Sequence, residues 1–348
     1  MSTPTTIDDD PAEAILARVH ARGGAPTIYD IAELAGVNPS TVSRALGKPG
    51  RISAATAAKV RAAAERLDFR VNPMARALQT GKTKMIGLVL ADITNPVVFG
   101  IVRGAEHAAA EAGYTLVIAE SQESGENEAE AIERLLPSVD ALVLATTRLG
   151  AGRISALAAR KPVILINRAV DGIDSVLPDV DTGVVELLDH LAELGHTSVA
   201  FLAGPDTSWI SARRWSSILA AAEARDIAIV EIGPNVPTMA GGHETLRRVI
   251  AARVTAVIAY NDLMALGLMQ EAAASGVAIP GRLSVAGFDD IFGSELISPA
   301  LTTVGADLAA AGRRAVEQLL AGDDADGDRA PLVTRLIVRG STGPAASA

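Results

Sequence analysis

The chain predicts two unlike parts: a small all-α helix-turn-helix headpiece near the N-terminus, and a large α/β core built on doubly wound parallel sheets. Three observations lead there. The formal net charge of −10 is unevenly spread, with +6 over residues 26–84, −2 over the first 25 residues and −14 from residue 85 onward. Helix start and stop signals crowd into residues 27–47. Beyond Met85, short apolar runs alternate with Ala-rich amphipathic stretches in the rhythm of βαβ units.

Length and composition exclude several classes. With 348 residues, 49% of them hydrophobic, the chain has material for a substantial core and two or three domains. It contains no cysteine, which removes disulfides, thiolate metal sites and cysteine nucleophiles. Apolar runs all stop well short of the roughly 18 residues a membrane helix needs. Asp8, Asp9 and Asp10 stand where a signal peptide would carry a basic start, so a cytoplasmic protein is expected.

In the basic segment, Thr27 precedes an amphipathic run in which Ile28, Ile31, Leu34 and Ala35 share one helical face, with Asp30 three residues after the Thr. Gly36 ends that helix. Asn38 and Pro39 are a cap and a first-turn residue, so a second helix runs from Pro39 to Leu46. Two short helices about a Gly-containing turn make a helix-turn-helix. Val42 and Leu46 face the first helix, and Pro39, Ser40, Ser43 and Arg44 face outward, where they could enter a major groove. An ordinary helical hairpin would leave Arg44 as a solvated charge. Ser53 caps a third helix, from Ala54 to about Leu67, whose apolar side is Val60, Ala64 and Leu67. Asn72 and Pro73 open a short helix reaching about Leu78 or Gln79, too short to be stable alone in water. Ahead of all this lies a 1–25 extension, expected to be disordered, with a helix over 11–22 as the alternative.

From Met85 the predicted strands are Ile86–Leu90, Thr115–Ala119, Ala141–Ala145, Val163–Ile166, Ser198–Leu202, Ala256–Tyr260 and Ser284–Phe288. The intervening helices cover about 97–112, 126–136, 152–159, 183–194, 209–225, 241–252, 262–275 and 307–321. Continuously apolar strands between helices read as buried parallel sheet. Ligands bind such sheets at the carboxyl ends of the strands. The polar residues just past those ends are Asp92, Asn95, Asn167, Arg168, Asn261, Asp262, Asp289 and Asp290. Amides, carboxylates and an Arg together suit a polyhydroxylated ligand. For Asp262 and Asp290, helix capping is the stronger expectation.

Enzymatic signatures are weak. No GxGxxG follows the first strand and no GxSxG elbow occurs, and His20, His107, His190, His196 and His243 lack metal-ligand spacing. Thr80-Gly81-Lys82-Thr83 ends like a phosphate loop, but Arg76 stands where its leading Gly belongs. The cluster of Asp323, Asp324, Asp326 and Asp328 lacks the terminal Glu of a calcium loop and reads as a solvated turn. No catalytic residue, metal or cofactor is expected.

The string TIYDIAELAGVNPSTVSRALG resembles the DNA-binding headpiece of the LacI/GalR family of bacterial transcription regulators, and FRVNPMARAL resembles its hinge helix. LINR, YNDLMALG and GFDD carry the likeness into the core, which resembles a type-I periplasmic binding protein: two doubly wound subdomains about a cleft. The likeness spans Thr27 to about Val338. It implies a headpiece over 26–68, a hinge over 69–82, one core subdomain over 83–180 and 308–333, the other over 181–307 and 334–340, and a flexible 341–348 tail.

What the resemblance implies for sites is specific. Pro39, Ser40 and Arg44 match base-reading positions. Thr27, Tyr29, Thr41 and Ser43 match phosphate-touching positions, although Tyr29 could equally pack. Asn72, Ala75 and Arg76 lie on the hinge, with spacing as the alternative role of Ala75, and Leu78 matches a leucine that wedges into the minor groove. Asn95, Arg168, Arg214, Asn261 and Asp289 match effector-contacting positions. Departures occur: Asn167 replaces a usual Asp, Val97 and Val98 replace ring-stacking Phe, Val236 and Pro237 provide no aromatic gate, and Ala306 replaces a common Gln. Phe99, Trp209, Trp215 and Phe292 are candidates for a different apolar wall, with Trp209 the one expected at the effector. The implied protein is a cytoplasmic homodimeric regulator, usually a repressor, of a pseudo-palindromic DNA operator, with a sugar or a polyol such as an inositol as effector. No Leu-rich heptad follows Val338, which favours a dimer over a coiled-coil tetramer. A solute-binding protein or sugar-processing enzyme of the same core fold is the alternative.

Overall fold

A computed structural model describes residues 10–47, 52–70, 81–321 and 330–346. The chain divides into two compact units, Met1–Lys82 and Thr83–Ala348. The expected hinge positions Asn72, Ala75, Arg76 and Leu78 and the acidic cluster at 323–328 lie outside the described residues.

The first unit holds helices α1 (Pro11–Ala21), α2 (Ile28–Ala35), α3 (Pro39–Gly47) and α4 (Ala54–Arg66). Gly36, at φ 64°, ends α2 in the left-handed region that glycine enters without a Cβ penalty. Ser53 caps α4 by accepting from the Thr56 amide at 3.2 Å. Ile31, Val42, Ala45, Val60, Ala63, Ala64 and Leu67 bury against one another.

The N-terminal extension departs from the expected disorder over Pro11–Ala21, which is helical. Asp10 caps it from the Ala12 amide at 3.0 Å, and Pro11 occupies the first position, where its missing N–H costs nothing. Ala12, Ile15 and Val19 recur at helical spacing and bury in the same cluster as α2, α3 and α4. Arg18 pairs with Glu33 at 2.6 Å, Arg22 with Asp30 at 2.5 Å, and Arg66 with Asp10. Burial works against the ionised Asp30, yet Arg22 and Thr27 hold its carboxyl down to about 2.

The second unit carries two sheets. Strands β1 (Met85–Leu90), β2 (Thr115–Glu120), β3 (Ala141–Ala145), β4 (Val163–Ile166) and β5 (Ser175–Val176) form a parallel sheet in the order β2-β1-β3-β4-β5. Strands β6 (Ser198–Leu202), β7 (Ala228–Ile232), β8 (Ala256–Ala259), β9 (Ser284–Phe288), β10 (Thr302–Ala306) and β11 (Thr334–Ile337) are ordered β11-β10-β9-β8-β6-β7. Among the described strands only β10 and β11 pair antiparallel. Central strands β3, β4, β8 and β9 are buried throughout, as their unbroken apolar sequences require.

Helices α5 (Val97–Glu111), α6 (Gly125–Leu135), α7 (Ala151–Ala158), α8 (Val180–Glu193), α9 (Trp209–Glu223), α10 (Met239–His243), α11 (Leu246–Ala251), α12 (Asp262–Ala274) and α13 (Leu308–Ala321) cover the sheets. The helix expected over 241–252 is split into α10 and α11. The chain returns to the first sheet through α13, which packs on α5 so closely that a Cβ on Gly104 would lie 1.9 Å from the Ala309 carbonyl oxygen. No described helix is long and apolar enough to cross a membrane.

Ile15→Ala removes a side chain that is 3% exposed, and large-to-small changes at such sites cost about 2–5 kcal/mol. Chemical unfolding of the full chain should show the headpiece transition moving to lower denaturant while the core transition stays in place.

Candidate functional sites

On the first unit, helical spacing sorts the second helix of the helix-turn-helix into two faces. Val42 and Ala45 are buried, Ser40, Ser43 and Arg44 are exposed, and Pro39 and Thr41 are half-buried. Tyr29 is 68% exposed, so it does not pack in the core. Thr27 donates its amide and its hydroxyl to Asp30, both at 2.7 Å, which sets the first turn of α2. Hydroxyls, a guanidinium and a phenol on a small basic unit are the groups that contact phosphates and base edges.

In the second unit, both sheets reverse their strand order beside the first strand laid down, at β1/β3 and at β6/β8. Ligand-binding crevices form at such points. The carboxyl ends of β1, β2, β3, β4, β8 and β9 meet around one cavity, lined by Asp92, Asn95, Glu123, Thr146, Arg148, Asn167, Arg214, Tyr260, Asn261 and Asp289. Val97, Val98, Ile210 and Pro237 supply its apolar wall. Four of its residues hold positive φ angles: Glu123 at 61°, Thr146 at 56°, Asn167 at 59° and Asp289 at 107°. Backbone of that kind is held only where the surroundings over-determine it, and it concentrates at ligand sites.

Two buried arginines, each paired with a carboxylate, face the cavity. Arg214 reaches Asp289 at 2.8 Å, donates to the Tyr260 carbonyl and lies 4.3 Å over the Phe288 ring. Arg148 lies 2.5 Å from Glu123 and donates to the Thr146 carbonyl at 3.1 Å. Asn261 is 2% exposed; it caps α12 through the Met264 amide at 2.9 Å and donates to the Pro237 carbonyl at 3.0 Å. Asn95 accepts from the Val97 amide at 3.2 Å.

Five of the expected effector residues, Asn95, Asn167, Arg214, Asn261 and Asp289, therefore share one cavity. Arg168 and Trp209 do not line it. Trp209 is half-buried against the core. Burial and the nearby Arg148 lower the Arg168 pKa, and its Nε is buried without a hydrogen-bond partner, as is the Nε of Arg214. The alternative aromatic wall is absent as well: Trp215 stacks on Phe201 at 5.7 Å, and Phe99 and Phe292 are 55% and 72% exposed. Sequence reasoning missed Glu123, Thr146, Arg148 and Tyr260. The first three lie just past β2 and β3, where the strand-end criterion would have found them, and Tyr260 was counted into its strand.

Asp262 and Asp290 do not cap helices. Asn261 caps α12, leaving Asp262 inside it, fully buried. Its carboxylate accepts from the Ile291 amide at 3.0 Å, Ser294 at 2.6 Å and Thr303 at 2.6 Å. Gly287 makes room for it, since a Cβ there would lie 2.2 Å from Oδ1. Asp290 pairs with Arg339 at 2.7 Å.

Burial and the neighbouring charge of Asp289 lift the Asp262 carboxyl to about 7, against those three donors. A raised carboxyl makes the folded core bind the proton more tightly than the unfolded chain does. Its contribution to stability is complete below the ordinary value of 3.8 and is lost as pH rises to about 7. Asp262→Asn should flatten that decline in a pH series of thermal unfolding midpoints.

Comparison with known proteins agrees with both units. Residues 27–72 match the model for "Bacterial regulatory proteins, lacI family", and residues 188–342 match "Periplasmic binding protein-like domain". The HTH-type transcriptional regulator GalR of Escherichia coli is 31% identical over 305 residues, 85% of this chain and 88% of that protein. The structure of the Lac repressor dimer bound to operator and the anti-inducer ONPF aligns with a TM-score of 0.82 at 27% identity, over 92% of this chain and 99% of that one. The transcriptional regulator CelR in complex with cellobiose aligns at 0.66 and 26% identity, over 91% and 99%. This chain belongs to the LacI family: it is a helix-turn-helix, DNA-binding transcription regulator and not an enzyme.

Proposed function

We propose that the protein is a cytoplasmic homodimeric repressor whose hold on a pseudo-palindromic operator is set by a small sugar or polyol in the core cleft. The observation that carries the effector reading is the convergence, from two sheets, of amides, carboxylates and guanidinium groups on one cavity with an apolar wall. Asn95, Asn167, Arg214, Asn261 and Asp289 are the direct contacts, and Arg168 and Trp209 stand behind them. The CelR–cellobiose complex supports a saccharide of some kind.

On DNA, Pro39, Ser40 and Arg44 read base edges, while Thr27, Tyr29, Thr41 and Ser43 hold phosphates. The hinge residues Asn72, Ala75, Arg76 and Leu78 enter the minor groove between half-sites. Affinity then comes largely from counterion release by the +6 segment and falls steeply with salt. A dimer is supported by an apolar groove of about 410 Å³ lined by Leu266, Met269, Ile279, Ile297 and Pro299, with Leu296 64% exposed nearby. Coupling of about 1–3 kcal/mol between cleft and hinge is enough to switch the operator.

A thermal-shift screen of sugars and polyols, followed by operator titration with each hit, tests the effector; a screen without hits removes the sugar reading. Arg44→Ala should cost about 1–3 kcal/mol of base discrimination, read as a flattened operator preference beside unchanged core stability. Asp289→Ala should abolish the effector response and leave effector-free operator binding within a small factor of wild type.

A further inference from the structure

The N-terminal extension reaches into the start of α2. Asp30, on the first turn of α2, is 7% exposed, and its Oδ2 accepts from the amide and the hydroxyl of Thr27, both at 2.7 Å. Two further donors come from Arg22, just past the end of α1: Nη2 donates to Oδ2 at 2.5 Å and Nη1 to Oδ1 at 3.3 Å. The same Nη2 lies 3.3 Å from the Ala25 carbonyl, so the guanidinium also holds the loop that leads into α2. Helix α1 is itself anchored, with Ala12, Ile15 and Val19 buried in the headpiece cluster. Both α1 and Arg22 precede residues 27–72, the stretch that matches the family.

We infer that Arg22 is a positioning residue for DNA binding: it neutralises Asp30 at the phosphate-holding start of α2 and releases the Thr27 hydroxyl to a phosphate. Two physical reasons carry this. The first is charge. The Thr27 hydroxyl is 2.7 Å from the Asp30 carboxylate, so a phosphate oxygen bonded to it lies within about 6 Å of that carboxylate, two hydrogen-bond lengths away. This is inside the Debye length of about 10 Å at about 0.1 M salt, and an unmatched carboxylate there would repel the duplex. The second reason is exchange. When the Thr27 hydroxyl turns to a phosphate, a buried carboxylate loses a donor, which is costly unless others remain. Arg22 keeps two charged donors on it, and such bonds are the strong ones. Arg18 carries the same charge on α1, but it pairs with Glu33 where both side chains are exposed, at 60% and 55%, so water replaces it readily.

The inference rests on Thr27 holding a phosphate, and its test needs no known operator. Phosphate contacts act on any duplex, so the probe is a mixed-sequence duplex of about 30 base pairs, titrated with full-length protein at about 50 and about 200 mM KCl. Arg22→Met should weaken binding about tenfold at the lower salt and much less at the higher, as one charge at that separation requires. Arg18→Met removes the same charge and should stay within about twofold of wild type. Arg22→Lys should recover part of the loss. Asp30→Asn added to Arg22→Met should recover most of it, because it deletes the stranded charge. The headpiece unfolding transition is followed for every variant; where Arg22→Met lacks it, Arg22→Gln, which keeps a donor without the charge, takes its place. Equal losses for Arg22→Met and Arg18→Met, a loss that does not change with salt, or a double variant no better than Arg22→Met overturn the inference. If Thr27→Val weakens binding and Arg22→Met does not, the phosphate reading stands and the inference falls. If Thr27→Val binds as wild type does, the phosphate reading falls and takes the inference with it.

Discussion

The core cleft depends on the ion pair between Arg214 and Asp289. Both side chains are withdrawn from water, at 9% and 12% exposure, and neither could be tolerated there alone. Removing one partner of such a pair leaves an uncompensated buried charge and costs about 3–5 kcal/mol. The pair also decides geometry. Arg214 reaches from α9 to the end of β9, ties down the Tyr260 carbonyl on the way, and sits over the Phe288 ring. Asp289 sits at φ 107°, and the turn beyond it is pinned by Asp262 through Ile291 and Ser294.

The two sides of the cleft are built alike. Each presents a buried arginine matched to one carboxylate at a strand's carboxyl end, Arg148 with Glu123 and Arg214 with Asp289. In a site so arranged, nearly every polar group already has a partner. A ligand then exchanges hydrogen bonds one for one and does not merely fill empty ones. Net energies of exchange are small, which suits a switch that has to move only a few kcal/mol.

The headpiece follows a different logic. Its small core is extended by α1: Arg18 on it and Arg22 just past its end bind acidic residues of α2, and its cap residue Asp10 binds Arg66 of α4. Among the described residues no ion pair joins α1 to α3, and Ser40, Ser43 and Arg44 of α3 remain exposed. Acidic charge is concentrated in the core and basic charge in the segment around the helix-turn-helix, so the electrostatic attraction to a duplex is confined to one end of the chain.

Much of this was legible in the sequence because it is local. The cap at Ser53, the stop at Gly36, the start of α3 at Pro39 and the apolar faces of α2 and α3 are fixed by neighbours within a turn or two. The central strands are recognisable because burial on both faces demands unbroken apolar runs. Strands β5, β7, β10 and β11 were missed: β5 has two residues, β7 is a half-exposed edge, and β10 buries Thr302 and Thr303, whose hydroxyls find partners far along the chain. The sequence offers a helix over 11–22 only as the alternative to disorder, since Ile15 and Val19 signal a core only if something stands opposite them. The sequence by itself determined which residue types lie at strand ends, where the charge lies and what kind of protein this is. Only the tertiary structure decided which of those residues meet. Arg148 and Tyr260 are 112 positions apart in sequence and share the cleft because two sheets bring their switch points together, and no local pattern encodes that distance.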